Sequence, residues 1–503
     1  MKTMFAAPDP GLLRLRTSVR AVIGVGLAVI AAELCGLALP ASITGGLAAL
    51  LAFFNVADPT VRRQMVTTVL LPVAGLPVLT LATVLHDRPL LRDAAFLAVV
   101  VCGVYARRWG PRGTALGIFA FMMFFATQFL HAVPDRLPQL YVAVLLAVAS
   151  AGAVRFGWCM ERRTPPSAAP APPLPGRGLA RTSTRQAFQC LVACALALGV
   201  GQAISDERWY WAVGTAWWIF VNTASRGETM VRGFRRVLGT VAGIGAGLLV
   251  AVPLHGAPLP SVLLAAVCVF GIFYTAALSY SWMMFFVTVM AGLLYGLLGV
   301  LDPGLLALRF QQTMVGAFAA AIAVTVVLPV TTHASTDAWI QRALLCVRRC
   351  TEEATRRSAG DADADPAAPV AELELLLGRV RTSLGPLVHP LSPLRARKAR
   401  ALRVIELLDD CARQVRGLTE TAGGPEASRD ERLTAACRRV EAAVEGLLAR
   451  APERAPVPAA PAAEAHHHHG VERALAHLHA LERALAGLAA PLKSHPSAPL
   501  PSS

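Results

Sequence analysis

Up to about residue 330 the chain alternates between long apolar runs and short polar turns. Twelve runs stand out, six at 18–38, 42–57, 65–85, 91–106, 113–131 and 137–158, and six at 187–204, 209–223, 234–253, 259–277, 279–300 and 306–329. Each approaches the roughly 20 apolar residues that a helix needs to cross a bilayer. The pattern predicts an all-α, polytopic membrane protein. The run at 91–106 is short and the break near Ser279–Ser281 is thin, so eleven and thirteen spans are the neighbouring counts. Beyond residue 331 the pattern changes. In "LRARKARALRVIELLDDCARQVRGL" and "DERLTAACRRVEAAVEGLLAR" the residues Leu, Val and Ala recur at helical intervals among charges, which predicts amphipathic helices of a soluble domain. "SAGDADADPAAP" and "APERAPVPAAPAAEAHHHHG" read as disordered loops between such helices.

The expected organisation is a first transmembrane repeat at 1–160, a Pro-rich cytoplasmic linker at 161–186, a second repeat at 187–330 and a cytoplasmic helical domain at 331–503. The repeat rests on two echoes. "FFNVADPTVRR" (53–63) resembles "FVNTASRGETMVRGFRR" (220–236), and "MMFF" occurs at 122–125 and 283–286, in the fifth run of each half. Six spans per half give both halves one orientation, so the expectation is two parallel six-helix repeats about an axis along the membrane normal.

Composition sharpens this reading. Hydrophobic residues make up 55% and charged ones only 16%, against about 25% charged in soluble domains. The net charge of +15 first suggests nucleic acid, yet residues 1–330 hold 24 Lys+Arg against 11 Asp+Glu, and 331–503 hold 23 against 21. The excess belongs to the apolar part, so the expected partner is membrane lipid and not nucleic acid. With the N-terminus inside, 19 basic residues fall on the cytoplasmic side, and only Arg88, Arg92, Arg136, Arg208 and Arg309 fall outside, as the positive-inside bias requires. Both termini are then cytoplasmic. The first run reads as a span and not as a cleaved signal. The ten cysteines form no CxxC framework and read as packed or reduced thiols. His466 to His469 are at most an opportunistic metal site.

The candidate chemistry centres on residues 220–247. Arg226, Arg232, Arg235 and Arg236 crowd the mouth between the eighth and ninth spans. They either set orientation and hold lipid phosphates, or gather and grip anions. Gly239, Gly243 and Gly247 recur every four residues along the ninth span, and the third span carries Pro72, Gly75 and Pro77. Such positions either let helices approach closely or mark a binding site where repeats meet. Glu33 is the acidic residue deepest in an apolar run; it is the proton-coupling candidate, unless it simply reaches water at the outer interface. Asn55, Asn222 and Trp218 are further candidates for a substrate path. Trp209, Trp211 and Trp217 join Trp218 as interfacial anchors or as ring partners for an aromatic substrate. No Walker, nucleophile-elbow, HExxH or dinucleotide motif stands out, so neither an enzyme activity nor a cofactor is expected.

At this point residues 209–247 carry a resemblance. "WYWAVGTAWWIFVNTASRGETMVRGFRRVLGTVAGIGAG" is similar to the signature of the fusaric acid resistance and aromatic acid exporter family, with Arg232, Gly233, Arg236, Gly239, Thr240 and Gly243 on its pattern. The resemblance implies a bacterial inner-membrane protein that exports aromatic carboxylic acids and related toxic compounds, driven by the proton gradient. For some members it also implies a periplasmic adaptor partner. Homo-oligomerisation is compatible with it. The chain departs from the pattern in lacking a sizeable soluble domain between its halves, and its first half has "VRRQMVTTVLLP" in place of the arginine-glycine signature. The alternatives are a passive organic-anion channel, in keeping with the similar six-span-plus-tail plan of plant malate channels, and a membrane scaffold acting through its tail.

Overall fold

The structure, a computed structural model, describes residues 12–157, 181–221, 223, 225–254, 256–328, 332–358, 361, 363–388, 395–421, 431–449 and 469–493. The regular elements among the described residues are all helices, with no strands. They form two compact units, 1–330 and 331–503.

The first unit holds α1 (Leu13–Leu34), α2 (Leu39–Asn55), α3 (Val61–Val84), α4 (Pro89–Tyr105), α5 (Gly110–Phe129), α6 (Leu137–Gly152), α7 (Thr182–Ile204), α8 (Tyr210–Phe220), α9 (Arg226–Val250), α10 (Pro258–Ala276), α11 (Tyr280–Leu297) and α12 (Pro303–Val326). Local chemistry sets the boundaries. Thr60, Ser225 and Asp302 cap α3, α9 and α12 by accepting a hydrogen bond from a backbone N–H of the first turn. Proline begins α4, α10 and α12, where its missing N–H costs nothing.

Nine helical stretches among the described residues are long and apolar enough to cross a membrane. One of them, Pro89–Phe129, is two helices. Gly110 at φ +77° turns the chain, and Gly103 and Gly117 meet so closely that a Cβ on Gly117 would lie 2.5 Å from the Gly103 carbonyl oxygen. Two further helices, α2 and α8, are shorter. At 11 residues, α8 is about 16 Å long and cannot cross some 30 Å of hydrocarbon. The run at 209–223 is therefore not a full spanning helix. Its chain leaves helical geometry after Phe220, yet Val221, Thr223 and Ser225 stay buried, and non-helical backbone at membrane depth needs such cover by protein. α7 starts at Thr182, inside the stretch expected to be linker, and residues 158–180 lie outside the described residues.

The helices pack in two groups with one plan. α1 packs on α2 and α6, α3 on α5 and α6, α2 on α6, and α4 on α5. Each of these contacts recurs six helices later: α7 on α8 and α12, α9 on α11 and α12, α8 on α12, and α10 on α11. The groups interlock through α1 against α10 and α4 against α7. At the second seam Gln202 donates to Asp93 Oδ2 at 2.7 Å. Large apolar side chains face outward on the peripheral helices, among them Leu90, Leu249, Val326 and Leu259. α2, α5 and α8 are buried along most of their length. Aromatic rings fill the middle: Phe96 stacks on Phe124 at 4.6 Å and Phe121 on Trp217 at 3.8 Å.

The second unit comprises α13 (Thr332–Ser358), α14 (Ala367–Val388), α15 (Arg395–Thr421), α16 (Glu431–Ala449) and α17 (His469–Lys493). The two runs singled out as amphipathic correspond to α15 and α16. Val347, Val380, Cys411, Val415, Val440 and Leu478 share its core, while ion pairs such as Arg381–Asp409 and Arg439–Glu482 dress its surface. Of the histidine run, His466 to His468 lie outside the described residues and His469 begins α17. No group of three metal-ligating side chains occurs among the described residues.

Candidate functional site

The short helices define the site because their ends must be satisfied inside the protein. The last carbonyls of a helix have no partner within it. At the end of α2, Arg155 supplies them, donating to the carbonyls of Val56 at 2.7 Å, Phe53 at 3.0 Å and Ala52 at 3.2 Å. At the end of α8, Arg107 donates to the Phe220 carbonyl at 2.7 Å. A cation at a helix C-terminus also complements its dipole. Thus two arginines read only as cytoplasmic-side charge also seal the two short helices.

Between α2, α5, α8 and α11 lies a cavity of about 120 Å³. Its lining includes Leu47, Leu51 and Phe54 of α2, Met122, Phe125 and Phe129 of α5, Trp211, Gly214 and Trp218 of α8, and Met283, Met290 and Leu294 of α11. Both repeated "MMFF" segments thus contribute to its lining. α2 and α5 belong to one group and α8 and α11 to the other, so the cavity sits where the groups meet. Gly214 is part of the fit, since a Cβ there would come within 2.8 Å of the Phe125 ring.

Among the described residues lining this cavity, one is charged. Arg236, on α9, is 5% exposed. Its Nη1 donates to Tyr280 Oη at 3.2 Å and approaches Met284 Sδ at 3.4 Å, while its Nε has no hydrogen-bond partner. Arg232, one turn earlier, lies over the Tyr280 ring at 4.1 Å. A guanidinium in an apolar hollow with an unused N–H has the chemistry to hold an anionic oxygen, and methionine and aromatic side chains that to pack on a flat apolar body.

The other sequence candidates divide. Trp218 lines the cavity. Asn55 is the last residue of α2, its Nδ2 buried without a partner. Asn222 lies outside the described residues. Arg226 and Arg235 are exposed. Gly239 and Gly243 bring α9 onto α11, where Cβ atoms would lie 2.3 Å from the Ser281 carbonyl oxygen and 2.7 Å from Thr288 Cβ. A Cβ on Gly247 would meet nothing within 4 Å. Gly75 presses α3 onto Phe119 of α5, and the helix continues unbroken through Pro72 and Pro77. Neither α3 nor the glycines of α9 reach the cavity; they back its walls. Glu33 is exposed, one residue before the end of α1, and does not line the cavity. Sequence reasoning missed Tyr280, Met283, Met290 and Arg309. Arg309 was expected in an outer loop but is buried in α12.

Apolar helices in this number, arranged in two groups around a shared cavity, define a multi-pass, transporter-like membrane protein. Residues 194–324 match the family described as fusaric acid resistance protein-like, which supports the resemblance read from residues 209–247. The match runs from α7 through α12 and includes Arg236 and the α8 and α11 walls. No curated protein and no solved structure matches the chain.

Proposed function

We propose that this protein is an inner-membrane secondary transporter that exports organic anions, aromatic carboxylic acids in particular, through the cavity between its two helix groups. In this reading the groups are parallel six-helix repeats, as the recurrence of six of the packing contacts six helices later supports. The arginine-rich end and both termini face the cytoplasm, and 331–503 is a cytoplasmic domain. The observation that carries the proposal is Arg236, a buried cation with an unpartnered Nε on an otherwise apolar, ring-lined cavity. It would hold the carboxylate while Trp218, Phe54 and Phe125 flank the ring. The volume of about 120 Å³ is below the roughly 300 Å³ of a site that encloses a drug-sized ligand, so it suits a single ring held by packed helices that rock apart to release it. Proton coupling is part of the proposal, with Glu33 as its candidate carrier at the outer end of α1.

The test is uptake of radiolabelled benzoate into everted membrane vesicles. Wild-type protein is expected to accumulate it against a gradient and to stop when a protonophore is added. Arg236→Gln at matched abundance is expected to lose at least tenfold in rate, with part recovered by Arg236→Lys. Ohmic flux indifferent to the protonophore would replace the exporter with a passive channel. Normal uptake by Arg236→Gln would remove the site.

A further inference from the structure

A second buried arginine lies beyond the cavity, and the cavity does not account for it. Arg309 is the seventh residue of α12, 4% exposed, and its Nε and Nη1 have no hydrogen-bond partner. No carboxylate among the described residues pairs with it. Its guanidinium carbon stands 3.6 Å from the centre of the Trp211 ring, and Trp211 itself lines the cavity. The indole is fixed in turn, its Nε1 donating to Tyr295 Oη at 2.6 Å. A cation–π contact offsets part of the cost of burying a cation, but it leaves two donor nitrogens and one whole charge unanswered. Such a group is stable when an anion can reach it.

The position fits a sequence of stations. α9 and α12 run in opposite directions, because the turn after α9 touches the end of α11, where α12 begins: a Cβ on Gly256 would lie 2.3 Å from the Gly296 carbonyl oxygen. Arg236 is ten residues from the start of α9, about 15 Å along its axis, and Arg309 is six residues from the opposite end, about 9 Å. An anion leaving Arg236 towards that end meets Trp211 and then Arg309. Passage needs binding that is attractive but shared among sites, so that no single one becomes a trap.

We propose that Arg309 is a second anion station, which takes the carboxylate after Arg236 once the Trp211 ring turns aside. This rests on the transport reading above, and its binding arm can be decided separately. Purified full-length protein is assayed for equilibrium binding of radiolabelled benzoate, and the same preparations are reconstituted for flux. Arg309→Gln is expected to bind benzoate near the wild-type level, because Arg236 remains, yet to carry it at least tenfold more slowly. Arg236→Gln is expected to bind at least tenfold more weakly but saturably, and Arg236→Gln/Arg309→Gln to lose saturable binding. Arg309→Lys, which keeps the charge, is expected to recover part of the flux at unchanged elution in size exclusion. Wild-type flux in Arg309→Gln would overturn the proposal, as would a double variant that binds as well as Arg236→Gln or a folded Arg309→Lys no faster than Arg309→Gln. If wild-type protein binds benzoate but carries none, the transport reading fails, while the comparison of single and double variants still decides the second station.

Discussion

Gly239 and Gly247 occupy the same stripe of α9 but do different things. A methyl on Gly239 would strike the Ser281 carbonyl and the Met284 side chain, whereas one on Gly247 would meet nothing. Gly239→Ala is therefore expected to cost about 1–3 kcal/mol, as overpacking does, and to disturb Met284 beside Arg236. Gly247→Ala is expected to be neutral or to stabilise by up to about 1 kcal/mol through helix propensity. Thermal unfolding of the detergent-solubilised protein measures both, and equal effects would contradict the packing described. The sequence showed the four-residue spacing, but not which glycine faces a neighbour, because a stripe names a helix face and not its partner. Arg236 and Trp218 were legible for a different reason: arginines crowd the start of the ninth apolar run, and four tryptophans fall within the eighth, where charge and rings are unusual. Arg309 was not, because a lone arginine near the edge of a run looks the same in a loop as in a buried turn.

α2 and α8 are the elements on which the site depends. An apolar run of fifteen residues at 209–223 reads as a span, yet the helix within it stops after 11, because backbone ending inside protein can be satisfied by side chains from elsewhere. Those side chains are Arg155 and Arg107, more than ninety residues away from the carbonyls they serve, so no local pattern announces them. Removing either leaves buried carbonyls without donors, at about 1–3 kcal/mol each. Arg155→Ala and Arg107→Ala are each expected to lower thermal stability by that order, whereas Arg235→Ala, at an exposed position of α9, should leave it unchanged. Equal melting of all three would mean that the arginines only orient the chain. The fifth and eleventh helices show the converse. The twin "MMFF" segments were visible as an echo, but their shared place in the cavity lining arises only when helices from distant parts of the chain come together.

At the level of the whole molecule the two units obey different rules. The first exposes apolar side chains around a core of aromatic rings, as expected of a body solvated by lipid. The second buries a core of Leu, Val and Cys under ion pairs, as expected of a body in water. In the second unit burial pushes the Cys411 thiol up to about 12. Because the unfolded thiol ionises near 9, its contribution is complete below that pH and is lost as pH rises towards 12, at about 1.4 kcal/mol per pH unit. The unfolding midpoint of this unit is expected to fall between pH 9 and 11, with a shallower fall in Cys411→Val. Helix content, the change of pattern near 331 and the apolar class were legible because periodicity and composition report burial directly. The cavity was not, because it belongs to no segment. The most direct measurement of its role is benzoate protection of a thiol placed inside it. In Met290→Cys membranes, benzoate is expected to slow modification of residue 290 by a methanethiosulfonate reagent several-fold, read by mass spectrometry, while Leu249→Cys on the exposed face of α9 reacts at one rate with or without it. Equal rates at residue 290 with and without benzoate would contradict an anion path between the two helix groups.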